Sequence, residues 1–206
     1  MKTILRLIRF PNLVLIVLSQ ALVQACLLAD GLNWSKALEP GFLLLTLFTV
    51  LIAAAGYIIN DYYDIKIDAI NKPERLLVGR KVRRRKAMFA HLSLSFIGVA
   101  GGFWLSIPVG LINLGAVLLL WGYSARLKKM LLIGNVVISL LSASMLLIVA
   151  VYADKLNNIT LGYSLFALLI SLIREIIKDM EDVKGDASFD CRTLPIVAGL
   201  RNTKLV

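Results

Sequence analysis

Six apolar stretches, each close to the length that crosses a bilayer, constrain the fold of this chain more than any other feature. A membrane-spanning helix needs about 20 mostly apolar residues to cross roughly 30 Å of hydrocarbon. The stretches run at about residues 11–29, 41–60, 87–107, 109–124, 132–153 and 159–177. Hydrophobic residues make up 59% of the 206-residue chain, which excludes an ordinary soluble domain. The sequence therefore predicts an all-α, multi-pass transmembrane bundle of about six helices, forming a single membrane domain over residues 1–206.

The positions of the basic residues predict how this bundle is oriented. If the N-terminus is cytoplasmic, six helices place every Lys and Arg on the cytoplasmic side except Lys36 and Lys155. This bias is what the positive-inside rule describes. We therefore expect an integral membrane protein with a cytoplasmic N-terminus, in the plasma (inner) membrane if the source is prokaryotic. The formal net charge of +10 then reflects topology and contact with membrane lipids, and we expect no nucleic-acid partner.

Two copies of one acidic pattern each close an apolar stretch. They read Asn60-Asp61-x-x-Asp64-x-x-x-Asp68 and Lys178-Asp179-x-x-Asp182-x-x-x-Asp186. At 100° per helical residue, the three aspartates of each copy fall within roughly 60° of arc and form one stripe. Like charges in a stripe repel one another unless a cation lies between them. Ionisable residues beside a membrane are costly, so the two motifs indicate a functional site on the cytoplasmic side.

The residue types favour a magnesium–phosphate site. Magnesium prefers oxygen ligands and takes one or two carboxylates together with substrate phosphates and water. Lys72, Arg75, Lys128 and Arg174 lie on the same predicted side and carry the positive charge that phosphate needs. The simplest alternative is that the aspartates are solvated charges beside the membrane.

Two other functional classes remain as alternatives. A CDP-alcohol phosphatidyltransferase also uses paired aspartates and magnesium, but its Asp-Gly-x-x-Ala-Arg opening is absent from this chain. A membrane transporter would hold its carboxylates near the bilayer centre, whereas these motifs follow the apolar stretches.

Four stretches of the chain resemble the UbiA family of intramembrane prenyltransferases. The segment 60–75 is similar to the first aspartate-rich motif of the family, and the segment 174–186 is similar to the second. Between and after them, Tyr123-Ser124-x-x-Leu127-Lys128 with Gly134-Asn135, and Thr193-Leu194-Pro195-Ile196 with Gly199, occur in family order. The wording Arg-Glu-Ile-Ile-Lys-Asp at 174–179 looks most similar to the branch that makes digeranylgeranylglyceryl phosphate.

The resemblance implies a bundle around a central cavity, with the two motifs facing each other across its cytoplasmic mouth. There Mg²⁺ would bind the diphosphate of a polyprenyl donor, the allylic carbon–oxygen bond would ionise, and a lipid or aromatic (quinone-precursor) acceptor would take the prenyl group. The implied metal ligands are Asn60, Asp61, Asp64, Asp68, Asp179, Asp182 and Asp186. Asp64, Asp68, Asp182 and Asp186 are implied as catalytic. The implied substrate-binding residues are Asn60, Lys72, Arg75, Tyr123, Lys128, Arg174 and Lys178.

Two further expectations concern the length of the chain and the fate of the cation. Family members usually have about nine membrane helices, so the chain is expected to lack the last three, and an inactive fragment is an alternative to an active enzyme. Tyr57 lies one turn before Asp61, where its ring either stabilises an allylic carbocation or only packs against its neighbours.

Overall fold

The computed structural model describes residues 2–29, 31–71, 73–189 and 191–204. Within these ranges the chain is helical apart from turns and one isolated β-bridge between Val78 and Val82. The α-helices are α1 (Lys2–Leu7), α2 (Phe10–Leu22), α3 (Pro40–Tyr63), α4 (Ile65–Asn71), α5 (Arg84–Leu105), α6 (Ile107–Ala125), α7 (Ile133–Tyr152), α8 (Asn158–Ala187) and α9 (Leu194–Thr203). A π-helical turn, Val23–Leu27, extends α2.

Six helices in the described part of the chain are long and apolar enough to cross a membrane. They are α2 with its π-turn, α3, α5, α6, α7 and α8. This confirms the predicted all-α, multi-pass bundle of about six helices. The largest difference concerns α8, which continues ten residues past the predicted end at 177 and carries the whole second motif.

The length of α8 explains where its carboxylates lie. Its 30 residues span about 45 Å at 1.5 Å per residue, which exceeds the roughly 30 Å of hydrocarbon. Asp179 is about 31 Å from the start of the helix by the same rise. The second motif therefore belongs to the part of α8 that emerges from the apolar layer.

Helix α3 lies at the centre of the bundle and contacts α2, α5, α6 and α7. Two glycines of α5 allow its closest approach. A Cβ atom on Gly98 would lie 2.5 Å from Cγ1 of Ile52, and one on Gly101 would lie 2.3 Å from the ring of Phe48. Small residues let membrane helices pack backbone against side chain in this way.

The helices α6, α7 and α8 enclose an apolar cavity of about 440 Å³ that is open on one side. Gly115, Ala116 and Leu119 line it from α6, while α7 and α8 contribute mainly leucines. This cavity, referred to below as the α6–α8 groove, runs along the helices on the membrane side of the acidic motifs. Leu168, at its near end, lies about 16 Å along α8 from Asp179.

Candidate functional site

The first acidic motif spans the joint between α3 and α4. Asp64 leaves the helical conformation with φ −85° and ψ 1°, so α3 ends at Tyr63 and α4 begins at Ile65. The backbone N–H of Asp64 donates to the Asn60 carbonyl at 3.0 Å, and that of Asp68 donates to the Asp64 carbonyl at 2.8 Å. These bonds keep the helical spacing across the joint. Asp61, Asp64 and Asp68 therefore form the predicted stripe, although α3 and α4 carry it together and not one helix alone.

The structure brings the second motif directly against the first. The side-chain amide of Asn71, at the end of α4, bonds to the backbone of Asp182 at 3.1 Å and of Gly185 at 2.7 Å. Asp186 also feels the charge of Asp64. All six aspartates of the motifs are half-buried. The two acidic motifs therefore form facing walls of one site.

Asp64 has both a cationic and a neutral partner. The Nζ atom of Lys128 contacts its Oδ1, and the Nδ2 atom of Asn60 donates to its Oδ2 at 2.9 Å. Lys128 lies in a 3₁₀ turn, Leu127–Lys129, that packs on the start of α7. A Cβ atom on Gly134 would lie 2.7 Å from Cα of Lys128, so a glycine at this point allows the turn to deliver the lysine to the site.

Arg174 and Lys178 of α8 share an acidic partner that was not predicted from the sequence. Glu175, whose side chain is 4% exposed, accepts a hydrogen bond from Arg174 at 2.8 Å and one from Lys178 at 3.3 Å. Tyr123 is half-buried and interacts electrostatically with Lys178. The Arg174 side chain is 66% exposed and the Lys178 side chain 40% exposed.

Asp179 is held by an amide from the neighbouring helix. The Nδ2 atom of Asn135, a buried residue of α7, donates to its Oδ2 at 2.8 Å. Asn135 belongs to the Gly134-Asn135 pair on which the family resemblance partly rests, but no role in the site was predicted for it. The bond fixes the Asp179 carboxylate on the side of α8 that faces α7.

Arg9 reaches the first motif from the N-terminal segment and was also missed. It connects α1 to α2, and its backbone is in the left-handed conformation with φ 50°. Residues other than glycine rarely adopt this conformation. Its guanidinium lies 4.9 Å from the centre of the Tyr57 ring, and the Tyr57 hydroxyl accepts a hydrogen bond from Asn12 at 3.3 Å. Arg9 therefore covers one face of the ring that was expected either to stabilise a carbocation or to pack against its neighbours.

The remaining predicted residues are only partly described. Lys72 lies outside the described residues, and so does the side chain of Arg75. The backbone of Arg75 ends a 3₁₀ turn, Pro73–Arg75, that follows α4. Their predicted contacts with substrate remain predictions.

The electrostatics of α4 fit a cation in the site. Burial, together with the neighbouring charges of Asp64 and Asp61, raises the pKa of the Asp68 carboxyl to about 6 despite the opposing effect of Arg9 and Lys128. A carboxylate in this position is stabilised by additional positive charge.

The candidate ligands fit a hard cation that takes its remaining ligands from substrate and water. Among the described residues, no three His, Cys, Asp or Glu side chains converge closely enough to hold a metal ion by themselves. All the candidate ligands are oxygen donors, and they are distributed over two facing walls. This arrangement suits Mg²⁺, which takes few protein ligands and fills its octahedron with phosphate oxygens and water.

Comparisons of the sequence and of the fold with known proteins both find members of one family. A model of the UbiA prenyltransferase family matches residues 17–206. A digeranylgeranylglyceryl phosphate synthase from Methanothermobacter thermautotrophicus is 38% identical over 163 residues, which cover 75% of this chain and 57% of the relative. The synthase of the same name from Methanoregula boonei is 36% identical over 195 residues, covering 93% of this chain and 67% of the relative.

Two solved structures share the architecture. A structure concerned with digeranylgeranylglyceryl phosphate synthase in membranes superposes with a TM-score of 0.74 at 29% identity, over 99% of this chain and 72% of that one. A UbiA homologue from Archaeoglobus fulgidus bound to DMAPP and Mg²⁺ has a TM-score of 0.78 at 17% identity, over 98% of this chain and 71% of that one. This chain therefore spans about three fifths to two thirds of its curated relatives' length.

Proposed function

The chain belongs to the UbiA prenyltransferase family, and we propose that it transfers a geranylgeranyl group from its diphosphate to a glycerol-phosphate ether lipid in a Mg²⁺-dependent reaction. The observation that carries the proposal is the Asn71 contact, which sets the Asp68 turn of the first motif against the Asp182–Asp186 turn of the second. An acidic cleft closed by two helices, with a lysine on Asp64, fits a metal-bound diphosphate.

We infer that the walls of the site divide the work of holding the diphosphate. Asn60, Asp61, Asp64 and Asp68 would hold Mg²⁺ from the first wall, and Asp179, Asp182 and Asp186 from the second. Bound Mg²⁺ would neutralise the charge that grows on the diphosphate as the allylic carbon–oxygen bond breaks.

Lys128 and Lys178 would bind diphosphate oxygens directly, in exchange for their present contacts with Asp64 and Glu175. Lysine is suited to this role because its ammonium is a mobile point charge on a flexible stem. Lys72, Arg75, Tyr123 and Arg174 complete the proposed substrate-binding set.

The α6–α8 groove provides a place for the isoprenoid tail of the donor. Its lining is almost entirely aliphatic, and an apolar surface both solvates an isoprenoid chain and excludes water from an allylic carbocation. After the diphosphate leaves, the acceptor hydroxyl would attack the allylic carbon and form an ether bond, and its proton would pass to the departed diphosphate.

The names of the relatives support the lipid acceptor over an aromatic one. Two synthases of digeranylgeranylglyceryl phosphate match this chain at 38% and 36% identity. Their product contains a glycerol phosphate that carries two prenyl groups. A quinone precursor as acceptor stays the second candidate because the site residues named here recognise the diphosphate and not the acceptor.

The positions of the carboxylates argue against transport. They lie at the end of α3, in α4 and in the last turns of α8, whereas transporter sites lie near the bilayer centre. Lys36 and Lys155 lie at the other end of the bundle, where Lys155 bonds to the carbonyl of Leu28. By the positive-inside rule we propose that the acidic site faces the cytoplasm.

The test is transfer of radiolabelled geranylgeranyl diphosphate to geranylgeranylglyceryl phosphate by membranes that contain the chain. Asp64→Asn and Asp182→Asn remove one carboxylate from each wall, and Glu181→Gln is the matched control because Glu181 is exposed on the same turn of α8 as Asp182. We expect transfer to require Mg²⁺ and to fall at least about 100-fold in both aspartate variants, with the control unchanged.

Each other outcome contradicts a distinct part of the proposal. Transfer that survives EDTA or both aspartate substitutions contradicts the diphosphate chemistry. If wild-type membranes transfer only to an aromatic acceptor, the lipid assignment is wrong. If they transfer to neither acceptor, the chain is inactive as it stands, and adding the C-terminal third of a relative tests whether the part of the relatives that this chain does not span is needed for transfer.

A further inference from the structure

One side chain joins the two acidic motifs through hydrogen bonds at both ends of its amide. The Nδ2 atom of Asn71 donates to the backbone carbonyl of Asp182 at 3.1 Å, and its Oδ1 accepts from the backbone N–H of Gly185 at 2.7 Å. The bonded residues are 111 and 114 positions away in the chain. We refer to this pair of bonds as the Asn71 bridge.

Helix α8 leaves room for the Asn71 amide at Gly185. A Cβ atom on Gly185 would lie 2.4 Å from Nδ2 of Asn71 and 2.5 Å from its Cγ. Real Cβ atoms do not approach other atoms this closely, so any side chain at this position would displace the amide. Gly185 is therefore required by the contact and not by its own backbone conformation, which is helical.

Helix α4 depends on such contacts at its C-terminal end, because its packing against a hydrophobic cluster is made by Ile65, at its start. It is seven residues long and none of them is buried. An isolated helix of this length is not stable in water. It carries Asp68 one turn before Asn71, while Asp182 and Asp186 lie on either side of Gly185 in α8. The bridge thus connects the one turn that presents Asp68 to the turn that presents the opposing carboxylates.

We propose that Asn71 is a positioning residue that fixes the spacing between the two acidic walls and thereby sets the affinity of the site for a divalent cation with a prenyl diphosphate. The inference rests on the proposed function. Asn71 acts through Asp68, Asp182 and Asp186 and does not itself touch the ligand. Residues that orient metal ligands in this way typically change metal affinity by about 10–100-fold when they are removed.

The experiment measures binding and not turnover. Mn²⁺ replaces Mg²⁺, and its free concentration is followed by electron paramagnetic resonance in the presence of geranylgeranyl thiodiphosphate, a donor analogue that resists ionisation. Asn71→Ala removes the bridge from α4, and Gly185→Ala displaces it from α8. Each variant is purified in detergent, and its folded fraction is checked by gel filtration.

The chain offers a matched control for each substitution. Gly162→Ala makes the same change in α8 at a position where an added Cβ meets nothing within 4 Å. Asn202→Ala removes an exposed asparagine that bonds within its own helix, to the carbonyl of Ala198. Both controls are expected to bind Mn²⁺ with the analogue as the wild type does.

We expect Mn²⁺ to bind about tenfold or more weakly in Asn71→Ala and in Gly185→Ala. The double variant should be no weaker than the poorer single variant, because both substitutions break the same bridge. Hydrogen exchange should also become faster at residues 182–187 in Asn71→Ala, since the Gly185 N–H loses the Asn71 side chain as an acceptor. Exchange in α7 should not change.

Two results would overturn the role of Asn71. The first is unchanged Mn²⁺ affinity in a folded Asn71→Ala variant, even if exchange at 182–187 is faster, because the bridge would then be structural only. The second is full additivity of the two substitutions, because they would then act independently. Failure of the wild type to bind Mn²⁺ with the analogue instead contradicts the proposed function itself.

Discussion

The guanidinium of Arg9 lies 3.1 Å from the carboxylate of Asp61 and covers the face of the Tyr57 ring. The Asp61 side chain is 15% exposed, so its charge is largely removed from water. Arg9 therefore neutralises part of the Asp61 charge in the absence of a metal ion, a role that the proposed cation would share once it is bound. The N-terminal segment and the first acidic motif are coupled through this ion pair.

We predict that Arg9→Gln lowers the stability of the metal-free protein by about 1 kcal/mol, because it removes a partly exposed ion pair and a cation–π contact. For a chain of this size that is a fall of about 2–4 °C in melting temperature. The measurement is thermal unfolding in detergent, with and without Mg²⁺ and the donor analogue. Bound cation should reduce the difference from wild type, since it also neutralises Asp61.

Arg201→Gln is the control for this prediction, because Arg201 is exposed in α9. It should leave the melting temperature unchanged under both conditions. A loss of stability in Arg9→Gln that Mg²⁺ and the analogue do not reduce would mean that Arg9 is not opposite the cation site.

Lys128 gives a prediction about the donor. Lys128→Met removes the ammonium that contacts Asp64, and charge-assisted hydrogen bonds contribute about 1.5–3 kcal/mol. We expect the Kd for geranylgeranyl thiodiphosphate in the presence of Mg²⁺ to rise by about tenfold or more. Titration calorimetry in detergent measures it.

Lys129→Met is the neighbouring control, because Lys129 lies in the same turn but bonds through its backbone: its N–H donates to the Arg126 carbonyl at 3.1 Å, and its carbonyl accepts from the N–H of Arg192 at 2.8 Å. Equal losses in the two variants would show a general effect of positive charge in the turn and not a specific contact of Lys128 with diphosphate.

The sequence predicts the parts of this structure that depend on local pattern. The six spans follow from runs of apolar residues, and the grouping of Asp61, Asp64 and Asp68 follows from helical spacing. Most helix ends fall within a few residues of the prediction because hydrophobicity changes sharply there. Helix α8 is the exception: its last ten residues are mostly polar, so hydropathy ended it at 177, although a helix can continue into water with one charged face.

The missed residues depend on contacts between distant segments. Arg9, Asn71, Asn135 and Glu175 each complete the site by a bond to another residue, and three of these bonds join segments that are distant in the chain. No spacing rule connects Arg9 with Asp61 or Asn135 with Asp179. The available signals were indirect: a glycine at 134 and at 185, each at a point where another segment approaches the backbone.

The pKa of Asp68, raised to about 6, predicts opposite effects of pH on cation binding and on stability. Below about pH 6 the carboxyl is protonated, so Mn²⁺ must displace a proton and its apparent affinity should fall by up to about tenfold per pH unit. A carboxyl whose pKa is raised on folding stabilises the folded state at low pH, and this contribution is lost as pH rises through about 6.

Lowering the pH from 7 to 5 should therefore weaken Mn²⁺ binding while the Asp68 contribution makes the metal-free protein more stable. Mn²⁺ titration and thermal unfolding over this range measure both. Asp68→Asn should remove its part of each pH dependence and bind Mn²⁺ weakly throughout. A variant that keeps the full wild-type pH profile would show that another group is responsible.

Gly98 tests the packing that holds α3 in place. Gly98→Ala puts a Cβ atom 2.5 Å from Cγ1 of Ile52 and 3.1 Å from the backbone carbonyl oxygen of Phe48. Since the backbone cannot easily move away, we expect a loss of about 1–3 kcal/mol, seen as a lower melting temperature in detergent. Gly162→Ala, whose added atom meets open space, should be neutral or stabilising because alanine is the better helix former. If the two variants melt alike, the α3–α5 contact is looser than the structure describes.

If the α6–α8 groove holds the isoprenoid tail, the side chain at position 115 should decide how long a donor can bind tightly. An added Cβ at Gly115 meets nothing within 4 Å, so Gly115→Leu should extend into the groove without displacing the helices. A tail that loses two buried methylene groups loses about 1.6 kcal/mol at about 0.8 kcal/mol each, which is roughly tenfold in affinity. We therefore expect Gly115→Leu to raise the Kd of geranylgeranyl thiodiphosphate about tenfold and that of the shorter geranyl analogue less than twofold.

Gly162→Leu makes the same change at a second open position that does not line the groove, and it should affect neither ligand. Equal weakening of both analogues by Gly115→Leu would place the isoprenoid tail outside the groove, because a filled groove penalises only the chain that is long enough to enter it.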